Sequence, residues 1–341
     1  MAKQKLSIKD VAAQLKISIT TVSFILNGKA KENRISEKLT KKVLDHIEKV
    51  GYQPSQLAQS LRTGKSKILV FMVEDISNYF YSSIARKLEE KAYATGYKII
   101  YCSTENDIKK AQELIQVFKG RQVDGYIITA PDGLEEDIKG LMEEGLPVVL
   151  FDRYFPNLDV SHVVINNNEA TSIAISKLIF NGYKNIGFVT LESKQTQMMD
   201  RYLGYEKAIK DHGLSLHLQT IPYSDIGTDR VAHTISTFIA EEKPTLDALF
   251  FSTNYLTISG LSALKSHHKI IPTDIAVIAF DDNDLFKLYD PPISAISQPI
   301  EEMANKLMEV ILTQLKGEMV IEKIELPVQY IHRESSGIHR P

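Results

Sequence analysis

The sequence predicts a small all-α helix-turn-helix head followed by an α/β body of two lobes, each lobe a parallel doubly wound sheet. Three observations predict it. The first sixty-odd residues place apolar side chains at helical spacing between short breaks. From residue 67 onward, short apolar runs alternate with amphipathic stretches, the pattern of strands buried on both faces by helices. Charge divides at the same place. Residues 1–67 hold 14 Lys or Arg against 5 Asp or Glu, and the remainder of the chain holds 26 against 38. A basic head on an acidic body points to a polyanionic partner for the head alone.

In the head, Ile8, Val11, Ala12 and Leu15 share one helical face, with Ser7 placed as N-cap and Asp10 completing a capping box. A break at Lys16-Ile17 precedes Ser18, the cap of a second helix whose inward positions are Val22, Ile25 and Leu26. Ser36 caps a third, with Leu39, Val43, Leu44 and Ile47 facing inward. Helix, tight turn, helix is the geometry that sets its second helix in a DNA major groove. Ile19, Thr20, Ser23, Phe24 and Asn27 form the stripe opposite the buried one. Two readings are open for Ile19 and Phe24: packing on a neighbouring segment, or contact with thymine methyls and base edges. Pro54 ends the third helix. Leu57, Ala58 and Leu61 then make one apolar turn too short to be stable alone.

In the body, strands are expected at 68–73, 98–101, 125–129 and 148–151, with helices near 79–95, 108–118 and 134–144. A second series opens at 163–165 and continues through strands at 186–190, 219–222, 248–252 and 276–280. Its helices lie near 169–180, 201–212, 230–240 and 258–265. Two similar halves imply a cleft between them, and open parallel sheets bind ligands outside the carboxyl ends of their strands. Polar residues stand at those ends: Asp152 and Arg153 after 147–151, Asn254 after 249–252, Asp281 and Asp282 after 276–280, and Gln298 after 293–297. Arg201 opens a helix. Each strand-end Asp or Asn can equally cap the next helix. As a set, carboxylates, a guanidinium and amides suit a polyol, whose hydroxyls both donate and accept. Tyr79 and Phe80 follow the first strand, where aromatic rings either cover a sugar or fill the core.

The segments DVAAQLKIS, TTVSFILNGK and VGYQPSQLAQSLRTGKS, in that order and spacing, closely resemble the head of the lactose-repressor (LacI) family of bacterial transcription regulators. The resemblance implies a body like type I periplasmic sugar-binding proteins, with three chain crossings between lobes. It divides the chain into a head at 1–51, a hinge at 52–65, an N-lobe at 66–161 plus 292–320, and a C-lobe at 162–291 plus 321–334. It implies DNA contacts from Ser18, Ile19, Thr20, Thr21, Ser23, Phe24 and Asn27 in the head. In the hinge it implies contacts from Tyr52, Ser55, Ala58 and Leu61, with Leu61 as an apolar wedge in the minor groove and Ala58 permitting paired hinge helices to approach. It assigns Tyr79, Phe80, Asp152, Arg201, Asn254, Asp281 and Gln298 to the effector pocket. The chain departs from the family at Phe24, where Arg or His is frequent, and at Tyr255, where many members have Asp. The loop after Asn27 is also longer than in many members.

Other classes fall away. Cys102 is the only cysteine and sits in an apolar run, which excludes an intrachain disulfide and reads as a core thiol. There is no run of eighteen apolar residues and no leader pattern, so a cytoplasmic protein without a membrane partner is expected. No Gly-rich phosphate loop, H-E-x-x-H or G-x-S-x-G occurs, and Asp281 and Asp282, as chain neighbours, should point apart. No catalytic residue, metal or cofactor is expected. The expected function is a sequence-specific DNA-binding regulator, a homodimer on a near-palindromic operator, controlled by a small-molecule effector such as a carbohydrate. Two alternatives stay open: a sugar-binding sensor whose head docks a protein partner, and a cleft enzyme with an accessory DNA-binding head.

Overall fold

The computed structural model describes residues 6–52, 64–318 and 320–339. Residues 1–67 and 68–341 form two compact units. In the first, helices α1 (Ile8–Leu15), α2 (Ile19–Leu26) and α3 (Glu37–Val50) begin where serines cap them. The capping box at α1 is reciprocal: the Asp10 amide donates to Ser7 Oγ at 3.3 Å, and the Ser7 amide donates to the Asp10 carboxylate at 2.8 Å. The Ser7 hydroxyl, donating to the same carboxylate at 2.6 Å, and after it the Ser7 amide hold the Asp10 carboxyl below its usual range. Lys16, in the left-handed region at φ 55°, makes the turn between α1 and α2. Val11, Ala12, Val22, Ile25 and Val43 close the small core. One inward position differs from the sequence reading. Leu44 is 46% exposed, because a helix of this width packs only the strip through Leu39, Val43 and Ile47 against its neighbours.

The second unit contains two six-stranded sheets. The first comprises β1 (Ile68–Val73), β2 (Lys98–Ser103), β3 (Gly125–Ile128), β4 (Val148–Phe151), β5 (Ser161–Ile165) and β11 (Lys323–Leu326), in the order β11-β5-β4-β3-β1-β2. The second comprises β6 (Ile186–Leu191), β7 (His217–Ile221), β8 (Ala248–Phe251), β9 (Ala276–Phe280), β10 (Ser294–Ser297) and β12 (Gln329–Ile331), in the order β12-β10-β9-β8-β6-β7. All ladders are parallel except β10 with β12. The helices between strands are α4 (Tyr79–Ala94), α5 (Ile108–Gly120), α6 (Glu135–Glu143), α7 (Asn167–Phe180), α8 (Thr196–Asp211), α9 (Asp229–Glu241), α10 (Asn254–Ser266) and α11 (Asp284–Leu288). They cover sheets whose central strands are buried end to end, as continuous apolar runs require. A last helix, α12 (Ile300–Leu315), packs on the first sheet and on α4.

Sheet membership corrects the sequence-derived lobe boundaries. β5 pairs with β4 and so belongs to the first sheet, although 162 onward was expected in the C-lobe. β10 pairs with β9 in the second sheet, although 292 onward was expected in the N-lobe. β11 returns to β5 in the first, although 321 onward was expected in the C-lobe. The chain therefore crosses at about residues 166, 298 and 327, each four to six residues later than read from the sequence. Each crossing follows a strand, and apolar alternation reveals a strand without saying which sheet it joins. A second difference concerns α8. It starts at Thr196 rather than at Arg201, because Gln195 at its N-cap makes no side-chain cap and leaves no start signal.

Candidate functional site

The head offers one outward helix face. On α2 and its caps, Ser18, Ile19, Thr20 and Asn27 are exposed, while Thr21, Ser23 and Phe24 are half-buried. Neither Ile19 nor Phe24 joins the core cluster. Ser18 Oγ accepts from the Thr21 amide at 3.0 Å and meets the Thr21 hydroxyl at 2.8 Å, so both hydroxyls serve the helix start. Asn27 folds back onto the Ser23 carbonyl at 2.6 Å. Tyr52 differs from its assignment to the DNA-contacting set. Gly51, at φ 64°, turns the chain so that the Tyr52 amide donates to the Ile47 carbonyl at 3.1 Å. Its ring is only 9% exposed in the head core, where burial raises its phenol pKa. Ser55, Ala58 and Leu61 lie outside the described residues.

The body brings its strand-end residues together from both sheets. Asp152 follows β4 and Asp281 follows β9, and both take the left-handed conformation at φ 70°. Only Gly, Asn and Asp visit this region readily, so the aspartates serve the backbone turn as well as the cleft. Asp152 accepts from the Tyr81 hydroxyl at 3.1 Å, and Asp281 accepts from Gln298 Nε2 at 2.5 Å. Arg201, 2% exposed, donates through Nε to Asn167 Oδ1 and through Nη1 to the Ser252 carbonyl, both at 2.7 Å. Its guanidinium carbon lies 3.6 Å from the centroid of the Phe280 ring. Burial raises the Asp152 and Asp281 carboxyls above the ordinary range, and the Arg201 charge opposes the rise at both. One guanidinium is thus shared electrostatically by two carboxylates from opposite lobes.

A second network joins the lobes. Arg153, 3% exposed, donates to Glu74 at 3.4 Å, to Asn106 Oδ1 at 2.5 Å and to Gln195 Oε1. Asn106 in turn donates to Glu74 at 2.8 Å. Asn78 and Asn254 form a reciprocal amide pair at 3.0 and 3.4 Å. Glu74, Phe80, Tyr81 and Asp152 wall the inner cavity from one side, and Gln197, Arg201, Tyr255 and Asp281 from the other. Its volume is about 20 Å³, on the order of a single water, and the Arg153–Gln195 and Asn78–Asn254 hydrogen bonds cross from one lobe to the other beside it. Outside Gln195 the cleft widens into a groove of about 540 Å³ bordered by Asn106, Asp132, Glu192, Lys194 and Tyr223.

Of the residues expected here, Phe80, Asp152, Arg201 and Asp281 face the cavity together. Asn254 and Gln298 do not line it; they are bonded to Asn78 and to Asp281, which do. Tyr79 is 45% exposed and does not line the cavity, because its neighbour Phe80 takes the inward position at the start of α4 and stacks on Phe151. Asp282 turns away from Asp281 into a two-pronged ion pair with Arg333 at 2.8 and 2.6 Å. Sequence reading missed Glu74, Asn106, Gln195 and Gln197. Glu74 was within reach of the strand-end rule, since it directly follows β1. Cys102 is half-buried, and burial pushes its thiol up to about 12, which suits an inert core residue. Among the described residues no cluster of three or more His, Cys, Asp or Glu could hold a metal, and no helix is long and apolar enough to cross a membrane.

Residues 7–55 match the family model of bacterial regulatory proteins of the lacI family, and residues 175–336 match the periplasmic binding protein-like domain. The HTH-type transcriptional regulator RegA of Clostridium saccharobutylicum is 31% identical over 97% of this chain and 99% of its own length. This chain belongs to the LacI family. The ribose operon repressor of Halalkalibacterium halodurans is 28% identical over 97% of each chain. In fold, the chain is similar to the lac repressor dimer bound to operator and the anti-inducer ONPF, with a TM-score of 0.86 at 17% identity over 98% of this chain and 100% of that one. Like its LacI-family relatives, the chain is a DNA-binding transcriptional regulator with a helical head and a ligand-binding body. Those relatives are regulators rather than enzymes.

Proposed function

We propose that α2 reads one half of a near-palindromic operator, that two copies of the chain together read the whole, and that a carbohydrate in the cleft controls their grip on DNA. The protein would work in the cytoplasm and would not be an enzyme. Several features support this reading. One helix-turn-helix spans only a half-site. A ribose operon repressor is among the relatives. The observation that carries the effector reading is Arg201 between Asp152 and Asp281, buried donors and acceptors drawn from both lobes. A ligand held there binds both lobes at once, so its occupancy shifts the balance between open and closed states. The proposed lobe limits are 68–165 plus 299–326, and 166–298 plus 328–336. Operator contacts are assigned to Ser18, Ile19, Thr20, Thr21, Ser23, Phe24 and Asn27.

The test of the effector site is Asp281→Ala in the full chain. A sugar that changes the wild-type gel shift should bind the variant at least about tenfold more weakly by calorimetry, while DNA binding without sugar is retained. Unchanged sugar affinity in the folded variant would place the effector elsewhere. The test of the head is Phe24→Arg. An arginine there gains bidentate contact with guanine, so operators selected from random DNA should change at one position of each half-site. Identical selected operators would mean that Phe24 does not face the bases.

A further inference from the structure

The charges lining the cleft do not cancel. Glu74, Asp152 and Asp281 share the inner wall with Arg201, and Arg153 joins them through Glu74. At the mouth, Asp132 and Glu192 stand against Lys194. The inner wall has one carboxylate beyond its guanidinium groups, and the mouth adds another. Hydrogen-bond direction leans the same way. Arginine only donates, so Arg153 obliges Gln195 to turn Oε1 and Asn106 to turn Oδ1 toward it. Gln195 Oε1 then also accepts from Gln197 Nε2 at 3.3 Å. Gln197 Oε1 is thereby left without a donor, although this side chain is 3% exposed and lines the cavity. Gln298, whose Nε2 is committed to Asp281, likewise leaves Oε1 unpartnered. One buried donor, Arg153 Nε, is also unmatched, and a hydroxyl could accept from it.

An ammonium group is all donor and carries the missing charge. We propose that the effector is a polyhydroxylated amine, an amino sugar, whose ammonium group is selected by Glu74 and Gln197. This inference rests on the cleft being the effector site. A neutral sugar leaves the excess carboxyl to be met by protonation, an ammonium pairs with its ionised form, and a sugar phosphate or sugar acid adds like charge. Burial raises the Glu74, Asp152 and Asp281 carboxyls together, so an entering cation favours the ionised forms that burial resists.

The experiment is calorimetry on the full chain at neutral pH with matched pairs: glucosamine and glucose, galactosamine and galactose, mannosamine and mannose, with glucose 6-phosphate as the anionic probe. At least one amine should bind about tenfold or more tightly than its neutral counterpart, and glucose 6-phosphate should not bind. Glu74→Gln should remove most of that preference. Gln197→Leu should reduce it while leaving the Arg153–Glu74 pair in place, which provides a second reading if Glu74→Gln folds poorly by circular dichroism. No binding by any of the amines, or neutral sugars binding as tightly as their amines, overturns the inference. A neutral sugar that binds the wild type and is lost in Asp281→Ala overturns the amine preference alone. Binding that survives undiminished in Asp281→Ala overturns the cleft reading itself.

Discussion

Arg201→Ala should abolish effector binding and lower the melting temperature of the body by about 10 °C. The guanidinium is buried, bonded to Asn167 and the Ser252 carbonyl, and packed over Phe280. Truncation leaves Asp152 and Asp281 in the interior without the charge that opposes their desolvation. Removing one partner from a buried charged set costs about 3–5 kcal/mol. The loss should depend on pH. Both carboxyls have folded pKa values raised above the unfolded ones, so their contribution to stability is complete below the unfolded value and is lost as pH rises through the folded one. Without Arg201 both rise further, so the deficit should shrink as the solution is acidified. Scanning calorimetry of wild type and variant across mildly acidic to neutral pH measures this. A melting point that matches wild type would mean that the cavity hydrates on truncation and that Arg201 is not part of the framework.

Gly204→Ala is the second large effect. Gly204 lies on α8 where that helix meets α7, and an added Cβ would sit 2.2 Å from the Asn168 carbonyl oxygen and 3.1 Å from the Ser172 amide nitrogen. Both atoms are backbone, so only parting of the helices relieves the clash. In an open helix Gly→Ala stabilises by about 1 kcal/mol; overpacking costs about 1–3 kcal/mol, and more when backbone must move. The net effect should be destabilisation of the body by about 2 kcal/mol or more. Parting α7 from α8 also draws Asn167 away from Arg201, so effector affinity should fall with stability. Gly140 in α6 has open space around it, and Gly140→Ala should be neutral or slightly stabilising. Denaturant melts of the two variants decide the matter: equal stabilities would show that the α7–α8 contact yields without cost.

The local chemistry of this fold is written plainly in the chain. Ser7, Ser18 and Ser36 start the three head helices where their cap signals stand. The buried strands coincide with the apolar runs, and Asp152 and Asp281 could be picked out because a strand-end carboxylate is conspicuous after an apolar run. What was not legible is which elements meet. β5, β10 and β11 read as strands, but sheet membership depends on pairings far apart in sequence. Asn106, Gln195 and Gln197 sit in loops or at an uncapped helix start, where polar residues carry no local signal; only Arg153 and Glu74, brought near by the fold, give them a role. Leu44 and Tyr79 show the converse. Apolar side chains at plausible positions were exposed because a neighbour one step along the helix filled the interior place.

The strand orders of the two sheets match place for place, although β11 runs parallel to its neighbour and β12 antiparallel, so one lobe repeats the topology of the other. In that repeat Phe151-Asp152 after β4 and Phe280-Asp281 after β9 are mates, down to the same left-handed φ of 70° at each aspartate. A perfect pair of mates would give a ligand two equivalent ways to enter, head first or tail first. The next residue breaks the tie: Arg153 reaches into the cleft network, whereas its mate Asp282 is tethered outside by Arg333. An arginine at this place in one lobe and a tethered carboxylate at the matching place in the other make the two halves unequal, so a molecule held there would have a defined top and bottom. Releasing Asp282 from Arg333 would test that distinction without altering Asp152 or Asp281.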